Sequence, residues 1–339
     1  MAEPILIWGA GAMGGTLGAY WARAGHDVLL VDIVPEHIEV CRTEGLRIEG
    51  PVEEFSVVIS GFVPEELEGQ YSRIVLAVKS QHTDSAVRAL EPHLTKDGFV
   101  LSVQNGLNEL AIAKRVGDDR TVGAFVNFGA DWHGPGRILL GNRGAVVVGE
   151  IDGKTRERTR EMHELLAVFE PNAILTENIA GYLWGKLAYG AMLAATALTM
   201  DSMSDNFADP VRFPVWKKIG NEVIATATAH KVSPIGFDGF DPSAFAPNAT
   251  ESATKESVAR LSEFNRQTAK THSGIWRDLA VRKRKTEVDS QVGILTDLAR
   301  EVGVATPALQ RLVDLVSDIE AGKRQQSMET FEELLEICK

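Results

Sequence analysis

The sequence predicts an α/β chain: an N-terminal doubly wound, mostly parallel sheet followed by an all-helical second domain. Three observations carry this reading. Short apolar, β-rich runs alternate with helical stretches through the first half; a glycine-rich turn, Gly9-Ala10-Gly11-Ala12-Met13-Gly14, joins the first run to the first helix; and beyond residue 178 the apolar spacing is helical almost throughout. The 339 residues, 44% hydrophobic and 24% charged, suffice for two cored domains, placed here at 1–178 and 179–339.

Ile5-Leu6-Ile7-Trp8 reads as a buried strand, and the turn then opens a helix from about Ala12 to Ala24 that Gly25 ends in a left-handed stop. Val28 to Asp32 is the second strand, completing a βαβ start. Further strands are expected at Ser56 to Ile59, Ile74 to Val78 and Phe99 to Val103, with helices on both faces. From Val122 to Gly149 glycine-punctuated strands follow, turning at Gly134-Pro135-Gly136, and are expected as antiparallel additions at the far edge. A helix at about Lys154 to Phe169 and a strand near Ala173 to Thr176 close the first domain.

The second domain is expected to hold helices at Ile179 to Met200, Trp216 to Lys231 and around Glu256 to Thr271, with the polar stretch Ser233 to Thr250 as a link. Thr286 can cap a helix that Gly303 ends. Thr306-Pro307 starts the next, and Gly322 ends it.

A net charge of −12 and a pI near 5.2 argue against a surface that neutralises phosphates, so no nucleic-acid partner is expected. The basic run Arg282-Lys283-Arg284-Lys285 reads as a solvated loop, or as a contact for an anionic substrate or a subunit. Cys41 and Cys338 are too few for a disulfide framework, a zinc site or an iron–sulfur cluster, and point to a reducing compartment. Met1 to Pro4 runs straight into the first strand with no signal-peptide pattern, so a cytoplasmic location is expected. The longest apolar stretch, Leu187 to Met200, is shorter than the roughly 20 residues of a membrane span and reads as a buried helix. His26, His37, His82, His93, His133, His163 and His230 have no metal-ligand spacing, and no metal is expected. The expected partner is a small molecule.

The three glycines of the turn meet the demands of a diphosphate site: a tight bend, close backbone approach, and close packing of helix on strand, with the helix's N-terminal amides and dipole favouring the anion. The first domain therefore reads as a Rossmann dinucleotide-binding domain, with Gly9, Gly11, Ala12, Met13 and Gly14 at the cofactor. Asp32 ends the second strand, where a carboxylate accepts hydrogen bonds from the adenosine ribose and repels a 2′-phosphate; the lesser alternative is a strand-end or helix-capping aspartate before Pro35. No Lys or Arg lies between Arg23 and Arg42 to bind that phosphate. The expected cofactor is NAD.

At this point the chain resembles a known family. The glycine turn, Ala77-Val78-Lys79-Ser80, Gln104-Asn105-Gly106-Leu107, Leu183-Trp184-Gly185-Lys186-Leu187 and Thr286-Glu287-Val288-Asp289 stand in the order and spacing of the ketopantoate reductases (2-dehydropantoate 2-reductases), over nearly the whole chain. The resemblance implies a helical domain similar to the C-terminal part of 6-phosphogluconate dehydrogenase, an active site in the cleft between the domains, and a homodimer. It implies that Lys79 and Asn105 contact the cofactor, that Ala130 lines the same side, and that Asn105 also meets the substrate. Lys186 is then the general acid that protonates the developing alkoxide, and the base in reverse, with Glu287 beside it.

The sequence departs from the family one and two helical turns after Lys186, where ketopantoate reductases carry substrate-holding asparagines and this chain has Gly190 and Ala194. A third such position aligns with Ser204, and the carboxylate-binding serine aligns with Gly274, next to Ser273. Each buried hydrogen bond left unmade costs ~1–3 kcal/mol, so a hydroxy or keto substrate bulkier or less polar than ketopantoate is expected. Ketopantoate reductase proper is the alternative, and an NAD user suits the oxidative direction. A redox-sensing binding protein is a third reading, and the presence of Lys186 and Glu287 argues against it.

Overall fold

A computed structural model describes residues 3–237, 239–268 and 270–339, and the chain divides into two compact units, Met1–Ile179 and Ala180–Lys339. Met1 and Ala2 of the expected strand approach, Asp238 of the expected polar link and Ala269 of the expected third helix lie outside the described residues.

In the first unit the chain runs β1 (Ile5–Trp8), α1 (Ala12–Arg23), β2 (Val28–Val31), α2 (Pro35–Thr43), β3 (Leu46–Glu49), β4 (Phe55–Val57), β5 (Ser60–Phe62) and β6 (Tyr71–Leu76). It continues through α3 (Thr83–Leu90), β7 (Leu94–Ser102), α4 (Asn108–Val116), β8 (Thr121–Val126), β9 (Gly129–Gly134), β10 (Arg137–Asn142), β11 (Val146–Glu150), α5 (Glu157–Phe169) and β12 (Ile174–Leu175). The main sheet has the order β12-β11-β8-β7-β6-β1-β2-β5, parallel except where β11 meets β8. Its central strands are buried on both faces, as continuous apolar runs require.

Two expectations about this unit are corrected. The run Ser56 to Ile59 is not one strand of the parallel sheet: residues 55–57 form β4, antiparallel to β3, and the chain joins the main sheet only at β5, beside β2. The hairpin across Gly134-Pro135-Gly136 does not extend the main sheet either. It pairs β10 with β3 in a second sheet of order β4-β3-β10-β9. The physical reason is α1, whose residues from Gly14 to Trp21 are all buried. Such a helix needs a layer on each side, and the second sheet supplies the outer one. A Cβ added at Gly18 would sit 2.7 Å from Ile7 of β1, and one at Gly15 would sit 2.5 Å from Ile138 of β10.

The second unit is helical: α6 (Ile179–Thr196, beginning at the boundary), α7 (Met203–Ala208), α8 (Phe213–Ala229), α9 (Glu251–Gln267), α10 (Gly274–Ala280), α11 (Ile294–Glu301), α12 (Pro307–Glu320) and α13 (Met328–Cys338). Distant carboxylates hold two helix starts. Glu222 of α8 accepts from the amides of Ala308 and Leu309 at 3.1 and 2.9 Å, meeting the unpaired donors at the start of α12 where Thr306 makes no side-chain cap. Glu320 accepts from the Thr286 amide and hydroxyl at 2.7 and 2.6 Å, while Thr286 Oγ1 accepts from Val288 N. A π-turn at Asp289–Gly293 then leads into α11. Sequence periodicity did not reveal α7, α10 or α13; the first two are too short to show a repeat. Among the described residues no helix is long and apolar enough to cross a membrane.

One buried acid stands apart. Glu109, in the first turn of α4 beside Gly123 of β8, is buried, and burial pushes its pKa from 4.5 up to about 7, outweighing its own amide and the Ser102 hydroxyl, which favour the charged form. Both folded and unfolded chains hold this proton below pH 4.5. Between 4.5 and 7 the unfolded chain releases it first, so stability falls as pH rises through that window, by about 3 kcal/mol at ~1.4 kcal/mol per pH unit, and levels off above it. Glu109→Gln cannot ionise, and its melting temperature is expected to fall less than the wild type's between pH 5 and 8. Equal slopes in the two proteins would contradict this account.

Candidate active site

In the first unit the site is built on the edge where parallel strands end. Gly9 leaves β1 at φ +99°, its N–H donating to Val31 O at 2.8 Å. A side chain on Gly14 would overlap the Gly9 carbonyl, and one on Gly15 would stand 2.6 Å from the Ala10 carbonyl. Both turn carbonyls are thus tucked against the first turn of α1, which only glycines permit. The amide edge faces the other way. Gly11 is the N-cap with no side-chain cap, the first turn of α1 holds no acid, and a Cβ at Gly11 would meet nothing within 4 Å. Ala12 and Met13 are half-buried, Met13 packing on the core. Helix-start amides, the positive helix end and a first turn without an acid fit a dinucleotide's diphosphate.

Asp32, half-buried at the end of β2, accepts from Ala10 N through Oδ2 at 2.9 Å and from Val34 N through Oδ1 at 3.1 Å. It therefore braces the turn, and each oxygen keeps a lone pair. Arg42, the next cation along the chain, is ion-paired with Glu39. Sequence reasoning passed over His37. It is buried on α2 with Nε2 2.8 Å from the Ala10 carbonyl, and the Cys41 thiol, which burial and then Asp32 push up to about 12, lies 3.8 Å away.

Lys79 and Asn105 follow β6 and β7 on the same edge, and a buried amide–hydroxyl network ties their loops together. Ser80 Oγ and Asn108 Nδ2 donate to the Asn105 carbonyl at 2.5 and 2.6 Å, Thr83 Oγ1 donates to Asn108 Oδ1 at 2.7 Å, and Gln104 Nε2 donates to the Val78 carbonyl at 2.8 Å. The carbonyl of Asn105 is fixed from below while its side chain is exposed. Ala130 stands on β9 in the second sheet, opposite Leu140.

In the second unit Lys186 lies on α6, half-buried, in a stripe with Tyr182, Gly190 and Leu193. A Cβ at Gly190 would meet nothing within 4 Å, so open space lies one turn beyond the lysine. Ala194 does not share it: it is 0% exposed, because seven residues, at about 100° each, return to the lysine's face where eight overshoot, and Leu193 takes that place. The motif's glycine has its own reason. Ile235 N donates to Gly181 O at 2.9 Å, and the Ile235 carbonyl then comes so close to Gly185 that any Cβ would overlap it.

Ser273 is buried and caps α10, accepting from Trp276 N at 3.2 Å, which leaves its hydroxyl proton to donate. Neighbouring Gly274 faces open space, and His272 stacks on Trp276 at 3.9 Å between centroids. Ser204 holds Ser262 through its carbonyl, accepting at 2.9 Å. Glu287, half-buried, immediately precedes the helix that carries the π-turn, a local unwinding frequent at functional sites.

Glycine turn, parallel sheet and helical second unit together define a two-domain NAD(P)H-dependent oxidoreductase, and comparison with known proteins supports that class. Residues 5–153 match the family description "Ketopantoate reductase PanE/ApbA" and residues 178–320 its C-terminal counterpart. The chain belongs to the ketopantoate reductase family. It is 24% identical over 319 residues to the 2-dehydropantoate 2-reductase of Streptococcus pyogenes serotype M3, covering 94% of this chain and 98% of that one. A ketopantoate reductase from Ralstonia eutropha JMP134 superposes with a TM-score of 0.78 at 25% identity, covering 94% and 99% of the two chains. A D-mandelate dehydrogenase solved with NADH and anilino(oxo)acetate shares the fold at a TM-score of 0.80 and 23% identity, with the same coverage.

Gly185→Ala is expected to destabilise the protein by about 1–3 kcal/mol, since backbone rather than a flexible side chain must yield. A denaturation midpoint unchanged from wild type would show that Ile235 is free to retreat.

Proposed function

We propose that the chain is an NAD(H)-dependent oxidoreductase that interconverts hydroxy and keto forms of a substrate bulkier or less polar than ketopantoate. The open space at Gly190, one turn beyond Lys186, carries this reading: it leaves room where the family has an amide. The D-mandelate dehydrogenase, whose anilino(oxo)acetate ligand bears an aromatic ring, lends support for the substrate class.

A bound nicotinamide dinucleotide supplies or accepts the hydride. The residues suited to hold it are Gly9, Gly11, Ala12, Met13 and Gly14 at the diphosphate, Asp32 at the adenosine ribose, and Lys79, Asn105 and Ala130 beyond. Lys186 hydrogen-bonds the reacting oxygen as charge builds on it and delivers the proton there; in oxidation it takes that proton away. Glu287 orients the lysine. Gly190, Ser273 and Asn105 line the substrate, with Ala194 kept back from direct contact by its burial. A homodimer and a cytoplasmic location belong to the same reading; a dimeric ketopantoate reductase from Staphylococcus aureus shares the fold at a TM-score of 0.70 and 16% identity. The names of the curated relatives favour a second reading, ketopantoate reduction itself.

The test is a nicotinamide-absorbance screen of hydroxy acids and alcohols, aromatic ones included, run beside ketopantoate with each reduced cofactor. Ketopantoate as the best substrate would favour the second reading. With the best substrate, Lys186→Ala is expected to lower kcat by about 10²–10⁴-fold, and wild-type turnover in this variant would remove the lysine from the chemistry.

Cofactor choice is separately measurable. NADH is expected to bind at least about tenfold tighter than NADPH, because Asp32 faces the 2′ position with no cation near in sequence. Asp32→Ala should weaken both, by loosening Ala10, and narrow the gap between them. Equal affinities in the wild type would defeat the argument.

A further inference from the structure

Ala10, in the middle of the glycine turn, is held at both ends. Its N–H donates to Asp32 Oδ2 at 2.9 Å, and its carbonyl lies 2.8 Å from Nε2 of His37, which is 1% exposed. The other ring nitrogen, Nδ1, lies 2.9 Å from the Gly136 amide and 3.4 Å from Trp132 Nε1. Both of those groups only donate. Nδ1 must therefore be the accepting nitrogen, Nε2 carries the ring proton, and His37 donates to the Ala10 carbonyl.

The consequence runs through one peptide plane. In a trans peptide the carbonyl and the next N–H point in opposite directions. With the Ala10 carbonyl drawn to His37, the Gly11 N–H is aimed to the opposite side, and Gly11 itself borders open space, since a Cβ there would meet nothing within 4 Å. The second sheet is part of the device, since Trp132 and Gly136 come from the β9–β10 hairpin.

We propose that His37 is a positioning residue for the dinucleotide: it locks the Ala10–Gly11 peptide with its amide facing the diphosphate, and is itself locked by Trp132 and Gly136. This rests on the dinucleotide-binding reading above. It gives the small sheet a role beyond covering α1, because the hairpin sets the histidine that sets the turn.

The test is calorimetric titration of NADH into wild type, His37→Gln and His37→Asn, with no substrate present. Glutamine can place its amide where Nε2 was and keep a donor for Ala10; asparagine reaches only to the place of Nδ1, serving Gly136 and losing that donor. His37→Asn is expected to raise the NADH Kd about tenfold and His37→Gln by less than about threefold. An unchanged Kd in His37→Asn, or a His37→Gln as weak as His37→Asn at matched melting temperature, would overturn the proposal. If neither NADH nor NADPH binds the wild type, the underlying reading fails and takes the proposal with it, a result distinct from tight binding by every variant. Should the variants not fold, long-range 1H–15N NMR of the wild-type imidazoles still decides: a proton on Nε2 of His37 is expected, and one on Nδ1 would refute the lock.

Discussion

Everything in the first unit follows from where two carbonyl oxygens go. Those of Gly9 and Ala10 are turned against the first turn of α1, into space that exists only because positions 14 and 15 lack side chains. With the oxygens inward the amides face out, an arrangement of backbone alone that suits an anion. The same missing side chains let α1 sink between β1 and β10, so the helix is buried on two sides and the unit needs its second sheet. Binding surface and layer architecture are thus two results of one packing decision.

The second unit solves a different problem, how to hold many helix ends without a sheet. Carboxylates from distant helices do much of this work, Glu222 for α12 and Glu320 for the segment entering the π-turn. The turn that follows α6 is held by the link between α12 and α13: Gln326 Nε2 donates to the Ala197 carbonyl and Ser327 N to that of Leu198, each at 2.8 Å. With Ile235 against its first turns and residues 326–327 against the turn that follows it, the lysine's helix is fixed at both ends.

The parts legible in the sequence were those written in local spacing. The glycine turn, the central buried strands and the Thr306-Pro307 and Gly322 punctuation of α12 need no distant partner to be recognised. The parts missed depend on long-range pairing. Nothing near Phe55 or Gly134 says that β4 and β9 belong to another sheet, since that follows from the burial of α1. His37 looked like a stray histidine because its partners at positions 10, 132 and 136 are far off in sequence. Ala194 was counted onto the lysine's face because two steps of four residues accumulate a rotation that one of seven avoids.

Glycine marks two kinds of position in this chain. At 14, 15 and 185 the space a side chain would need is already taken by backbone or a neighbouring side chain, and every coding change adds atoms. Error there runs in one direction, toward loss. At 190 nothing lies within 4 Å of where a side chain would begin, so a larger residue fits there while the scaffold stands. Mutation therefore meets a wall at the turn and an open door on α6, so the two units of one chain differ in how much change their packing tolerates.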